Sequence, residues 1–373
     1  MVQDIAYESL LKSRRRRLHE RIAETLRDLF PETAAVAPEI AAHHFTQAGL
    51  VEEAVEWWGK AGDRALRSSA YHEAIAHLTK AIGLAEALSE SPVGQGRRLR
   101  LQIAYGNALI STRGYGAPET SVAFARAREL ASGLKDVPER FAAYYGLWVG
   151  SLVRSELGSM QELAQAFLRD AGNRPGSPEA GIAHRVSGMT RWFEGDFLEA
   201  KRHLEQALAI YRYERDRNLT YLYGHDYGIA AAIYLALVLW PLGEVDRAEQ
   251  LAQEAIHRAA DGGHVATMAY AHFHKTILEA VRGRPEQARP HVDAVVELSR
   301  EHGLLLYARA SKFWRGWIRW YAGERDAGVR EMQHCAAARR KDGYGALRPV
   351  DLDPACGSKG RRGAVRRCSG DSR

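Results

Sequence analysis

The sequence predicts an all-α protein, a tetratricopeptide-like solenoid of helical hairpins followed by a disordered C-terminal tail. Three observations carry this reading. A short turn and then a helix with small or apolar residues at i, i+4 and i+7 recurs about every forty residues. In three copies a glycine lies twelve residues before the first position of the pattern. With 46% apolar and 26% charged residues, the 373-residue chain has enough apolar surface to bury a sizeable core.

The elements follow in order. From Ala6 to Phe30, Leu10, Leu18, Ile22, Leu26 and Leu29 recur at helical spacing, and Pro31, which has no N–H to donate, ends the helix. Residues 1–36 are read as a cap or domain remnant, and residues 37–338 as the repeats. The pattern appears as Ala74, Leu78 and Ala81 after Ser69-Ala70-Tyr71, and as Ala200, Leu204 and Ala207 after Glu194-Gly195-Asp196. It returns as Ala248, Ala252 and Ala255 after Leu242-Gly243-Glu244, as Ala288, Val292 and Val295 after Arg282-Gly283-Arg284, and as Gly328, Met332 and Cys335 after Ala322-Gly323-Glu324. Two weaker copies are Thr120, Phe124 and Ala127, and Leu163 with Phe167 after Leu157-Gly158. About seven irregular repeats result, longer than the usual unit of about 34 residues but still two antiparallel helices each.

Small residues at i and i+7 let neighbouring helix backbones approach, while the larger residue at i+4 fills the groove between them. Gly62, Gly188 and Gly316 lie twelve residues before Ala74, Ala200 and Gly328 and supply the partner surface on the first helix of each pair. A single pair cannot bury its apolar face alone, so the stack is the stable object. Trp57-Trp58, Trp192-Phe193, Phe313-Trp314 and Trp317 read first as core between repeats and second as a groove for a ligand.

Charge excludes one class of function. The net charge is +6, and residues 339–373 carry ten Lys/Arg against four Asp/Glu, which is 10 − 4 = +6, so the body is neutral. A neutral body offers no phosphate-binding stripe, and no nucleic-acid partner is expected. The five-charge cluster of Lys12 with Arg14 to Arg17 reads as a solvated or interdomain face. The tail from Asp342 is rich in Gly and Arg and poor in large aliphatic residues, the composition of a disordered segment. The longest apolar run, Ile229 to Leu242, is too short to span a bilayer and reads as a buried helix, so no membrane partner is expected. The opening residues lack a signal-peptide pattern, and a cytoplasmic location is the expectation.

Nothing in the spacing of residues points to chemistry, and no catalytic, cofactor or metal site is assigned. The phosphate-loop pattern is absent, and Gly357-Ser358-Lys359 is a chance fragment in the tail. His43-His44 and His272 with His274 are adjacent or i+2 on helices and so point to different faces. Cys335, Cys356 and Cys368 show no ligand spacing and read as reduced thiols.

The opening VQDIAYESLLKSRRRRLHERIAETL and the later EIAAHHFTQAGLVEEAVEWWGKAGDRALRSSAYHEAIAHLTKAI resemble the C-terminal region of bacterial multidomain class III adenylate/guanylate cyclases. In that family a cyclase domain is followed by an AAA-type signal-transduction ATPase and then by tetratricopeptide-like repeats. RGYGAPETSVAFARARELA and Tyr223-Gly224-His225-Asp226 are similar to the same family's repeats, and the likeness extends from Met1 to about Arg340. It implies that Tyr7 to Leu10 close the ATPase module in its winged-helix part, making 1–36 a remnant of that module. No residue here matches the family's cyclase or phosphate-loop motifs. The family continues with repeat helices where this chain turns Gly/Arg-rich, as an out-of-frame end at 339–373 would explain.

The resemblance implies a non-catalytic, regulatory module that binds a protein partner, or its own upstream ATPase and cyclase domains, on the inner face of a right-handed solenoid. The rival expectation is a small-ligand sensor using the concave groove, with Trp57-Trp58 and Phe313-Trp314 as its lining.

Overall fold

The computed structural model describes residues 11–68, 70–134 and 139–341. The first ten residues, Ser69 and the tail from 342, with Cys356, Cys368 and Gly357-Ser358-Lys359, lie outside the described residues. Among the described residues every regular element is a helix: α1 (Lys12–Asp28), α2 (Pro31–Val36), α3 (Pro38–Ala48), α4 (Val51–Arg67), α5 (Tyr71–Ala85), α6 (Pro92–Arg113), α7 (Pro118–Ser132), α8 (Glu139–Arg154), α9 (Leu157–Ala171), α10 (Pro178–Glu194), α11 (Phe197–Ile210), α12 (Tyr213–Asp216), α13 (Thr220–Tyr223), α14 (Tyr227–Leu239), α15 (Val245–Gly262), α16 (Val265–Val281), α17 (Pro285–His302), α18 (Leu305–Tyr321) and α19 (Arg325–Lys341).

Local chemistry sets these boundaries. Proline occupies the first helical position of α2, α3, α6, α7, α10 and α17, where its missing N–H has no partner to lose. Ser91, Ser177, Asp196 and Asp226 cap α6, α10, α11 and α14 by accepting a backbone N–H three residues on. The turn glycines of the repeat pattern, Gly195, Gly243, Gly283 and Gly323, all have φ between 69° and 96°, a region that costs other residues strain. The weak turn of the third copy differs from expectation: Leu157 and Gly158 begin α9, and the left-handed residue is Ser155, at φ 68°.

Seven hairpins, α4–α5, α6–α7, α8–α9, α10–α11, α14–α15, α16–α17 and α18–α19, stack in sequence order as a tetratricopeptide-like solenoid. Their second helices form the outer layer and bury the small-residue stripe. Ala74, Leu78 and Ala81, Ala200, Leu204 and Ala207, Ala248 and Ala255, and Ala288 are each at most 1% exposed. A Cβ on Gly62 would lie 2.5 Å from Leu78 Cγ, and one on Gly188 2.6 Å from Leu204 Cγ, so the paired helices approach closely at these two glycines. Gly316 and Gly328 face each other in the last hairpin, with a Cβ on Gly328 only 2.5 Å from the Gly316 carbonyl oxygen. Trp57, Trp58, Trp314 and Trp317 are core residues, all under 9% exposed, and every residue of α14 is buried.

Two features go beyond a regular stack. The first helices α6, α8, α10, α14, α16 and α18 each pack on the next, and α18 returns to pack on α6, closing an inner ring. The extra length between the copies at Ala200 and Ala248 is the segment 211–226 between α11 and α14, which carries α12 and α13. At the N-terminus α1 packs on α3, and Ala23 and Ala34 join a core with Phe45, Trp57, Trp58 and Leu78.

Candidate functional site

Inside the ring, side chains from successive first helices converge. Arg185 of α10 is 1% exposed, and its Nη2 donates to Tyr145 Oη of α8 at 3.0 Å. Its guanidinium carbon also sits 5.1 Å from the centre of the Tyr145 ring. Its Nε and Nη1 are buried and have no hydrogen-bond partner, and no Asp or Glu among the described residues forms an ion pair with it. Around it stand Tyr234 of α14, Tyr270 and His274 of α16, and His225 just before α14. His225 stacks on Tyr270 at 4.2 Å, and Tyr270 lies 4.0 Å from His274, which is 5.0 Å from Tyr234. The cluster is aromatic, desolvated and singly charged.

Its electrostatics follow from that one charge. Burial first, then the nearby Arg185, holds the His225 ring well below the usual histidine value. His274 is pushed down to about 4, by burial above all, although its Nδ1 donates to the Tyr270 carbonyl at 2.8 Å. Burial raises the Tyr270 and Tyr234 phenols. At neutral pH the rings are therefore uncharged, and Arg185 is the cation of the cluster.

The segment 211–226 is strapped across this ring by polar contacts. Asp216 accepts from Tyr227 Oη at 2.7 Å, Arg215 Nη2 at 2.9 Å and the Arg212 amide at 2.9 Å, and Arg215 Nη1 donates to the Gly176 carbonyl. Asp226 accepts from Tyr211 Oη at 2.7 Å as well as capping α14, and its amide donates to Thr267 Oγ1. Asn107 of α6 donates to the Leu222 carbonyl at 2.9 Å. Tyr223 meets the Tyr145 ring edge-on at 5.3 Å, and His225 Nε2 lies 3.3 Å from Tyr145 Oη. The strap thus ends against the residue that Arg185 contacts.

The repeat-packing residues named from the sequence line the contacts between helices, not this cluster, which sequence reasoning missed. One signal was present: Arg185 is a charge between Gly181, Ile182, Gly188 and Met189, on the face that those glycines mark as buried. Also missed was a recurring histidine pair. His184 and His203 approach at 2.9 Å between Nδ1 atoms, and so do His272 and His291, each pair nineteen residues apart on the two helices of one hairpin. The same place in the first hairpin holds Trp58 stacked on His77 at 5.3 Å. The adjacent histidines His43 and His44 have rings 5.5 Å apart, and among the described residues no group of three His, Cys, Asp or Glu side chains is arranged to hold a metal. Nor is any single helix among them long and apolar enough to cross a membrane.

No protein-family model matches the chain. Over 356 residues, 94% of its length, it is 23% identical to an uncharacterized protein of Rhizobium meliloti (strain 1021), of which the match takes in 34%. The chain therefore spans about a third of that relative. Among solved structures it is similar to a Rap protein complexed with competence and sporulation factor, with a TM-score of 0.55, 14% identity and 78% of each chain covered. It is also similar to the Rap conjugation gene regulator of plasmid pLS20 in complex with the Phr* peptide. There the TM-score is 0.59 at 13% identity, over 80% of this chain and 76% of that one. At such identities the likeness is one of fold, and it agrees with the helical-repeat solenoid described above.

Proposed function

We propose that the chain is a non-catalytic recognition module that binds a peptide segment of a protein partner inside its ring of first helices and passes that state to other parts of a larger signalling protein. The observation that carries this is the convergence of α8, α10, α14 and α16 on one aromatic cluster with a single buried cation, crossed by a strap held through polar contacts. Such a cluster combines apolar rings with a few placed polar groups, the usual make-up of a binding site. The two Rap structures of related fold are complexes with a competence factor and with a peptide, and the relative three times as long leaves room for further domains. The resemblance to cyclase-linked signalling ATPases supplies the proposed context, with residues 1–36 as the junction to the ATPase and 37–338 as the sensor. The proposed location is the cytoplasm.

The test is selection of peptides from a random display library on the immobilised chain, followed by cross-linking of the selected peptides through a benzoylphenylalanine. Cross-links are expected on α8, α10, α16 and the strap. Cross-links confined to the outer helices would refute the proposal. The small-ligand alternative loses Trp57, Trp58 and Trp314 as lining, because these are core, and would have to use the same axial cluster. A metabolite panel that quenches tryptophan fluorescence when no peptide is selected would favour it. The purified chain should form no cyclic nucleotide, and a rate above background would overturn the non-catalytic assignment.

A further inference from the structure

We infer that Arg185 is an anion anchor, and that the ligand group it takes is a single carboxylate, from an acidic side chain or the C-terminus of a bound peptide. This rests on the ring interior being the binding surface, as proposed above. Arginine cannot escape burial by losing its proton, so a desolvated guanidinium requires an opposite charge or a full set of acceptors. Arg185 has neither: Tyr145 Oη accepts from Nη2, Met189 Sδ makes a weak contact at 3.6 Å, and Nε and Nη1 remain without partners. Elsewhere this chain neutralises its buried cations. Lys275, 2% exposed, lies 2.7 Å from both Glu249 and Glu279, and Arg282 also pairs with Glu249. Arg185 is treated differently by the same fold.

Charge favours a carboxylate over a phosphate. The unpartnered Nε and Nη1 lie on either side of the guanidinium, each a donor that an anionic oxygen would satisfy. One cation among neutral rings balances one negative charge, whereas a phosphate dianion would leave a charge uncompensated in a desolvated site.

The experiment measures melting temperatures of the full chain at fixed ionic strength in sodium 3-phenylpropionate, sodium phosphate and sodium chloride. The wild type is expected to rise by several degrees, saturably, with the carboxylate, and by less or not at all with the other two salts. Arg185→Met, close in volume and without charge, should remain helical, melt no lower than the wild type in chloride and lose the carboxylate response. Arg185→Lys should keep a response about tenfold weaker in concentration, since a compact ammonium cannot reproduce the spread donors of the planar guanidinium. An Arg185→Met protein that melts well below the wild type would show that the arginine serves packing, and the inference would fall. It would fall equally if the wild type did not respond to the carboxylate, or if Arg185→Met responded like the wild type. The peptide-binding proposal is read separately: peptides that cross-link inside the ring but bind Arg185→Met as well as the wild type leave that proposal standing without the anchor. An Arg185-dependent carboxylate response with no peptide cross-linked inside the ring leaves the anchor without the peptide.

Discussion

At the scale of single residues, glycines and histidines decide what the hairpins tolerate. A Cβ at Gly188 would meet Leu204 Cγ at 2.6 Å and the Ala200 carbonyl oxygen at 3.1 Å, so Gly188→Ala must push two helices apart. We expect it to cost about 1–3 kcal/mol, the range for overpacking a tight contact. Gly83→Ala is the control: nothing lies within 4 Å of the added atom, and removing helical glycine flexibility should stabilise by roughly 0.5–1 kcal/mol. Urea unfolding of both variants checks the pair, and equal effects would contradict the packing argument. The histidines predict a pH dependence. His203, His264, His274 and His291 are each pushed down to about 4, in every case mainly by burial. Above their unfolded value near 6.5 they are neutral in both states, and pH does not act through them. Between 6.5 and about 4 the unfolded chain binds protons that the folded chain refuses, so stability should fall with pH, by on the order of 1 kcal/mol per pH unit for each such histidine. Urea midpoints at pH 7, 6 and 5 should decrease in that order; a midpoint that rises toward pH 5 would reverse the assignment.

At the scale of elements, the strap 211–226 is held differently from the hairpins it crosses. The hairpins are fixed by close apolar packing, whereas the strap hangs on Asp216, Asp226, Asn107 and Arg215. Asp226→Ala removes the cap of α14 and the acceptor of Tyr211 Oη together. A lost cap alone costs about 1 kcal/mol. Amide hydrogen exchange of the variant should quicken in 211–230 while α17 and α19 keep wild-type protection. Uniform loss of protection through all hairpins would mean that the strap is part of the cooperative core. The periodicity of the sequence made the hairpins legible, because small residues at i and i+7 leave a pattern. The strap left only a longer step, since its contacts are polar and long-range, and polar pairs have no period.

At the scale of the whole molecule, most of the buried apolar residues among those described fall into two clusters. One runs from Ala23 to Ala108 and the other from Leu99 to Met332, and they meet along α6, which gives Leu101 and Ala108 to the first and Leu99 and Ile103 to the second. The second cluster is closed by the return of α18 onto α6, whereas the first has no such closure among the described residues. Stacked repeats draw their stability from neighbours, so a closed ring should unfold as a unit and an open end should fray. Hydrogen exchange is expected to show α1–α5 opening at a lower free energy than α8–α18, and a single opening energy for both would refute the division.

Read alone, the sequence determined that the chain is helical and that its helices pair at intervals of some forty residues. These follow from neighbours a few positions apart, which is the range over which helix propensity, caps and side-chain spacing act. The tertiary structure alone decided that the stack bends until α18 meets α6, that 211–226 crosses the opening, and that the rings gathered around Arg185 are those of Tyr145, Tyr270 and His274. Those outcomes depend on small rotations accumulated between hairpins over two hundred residues, and no local pattern in the sequence records that sum.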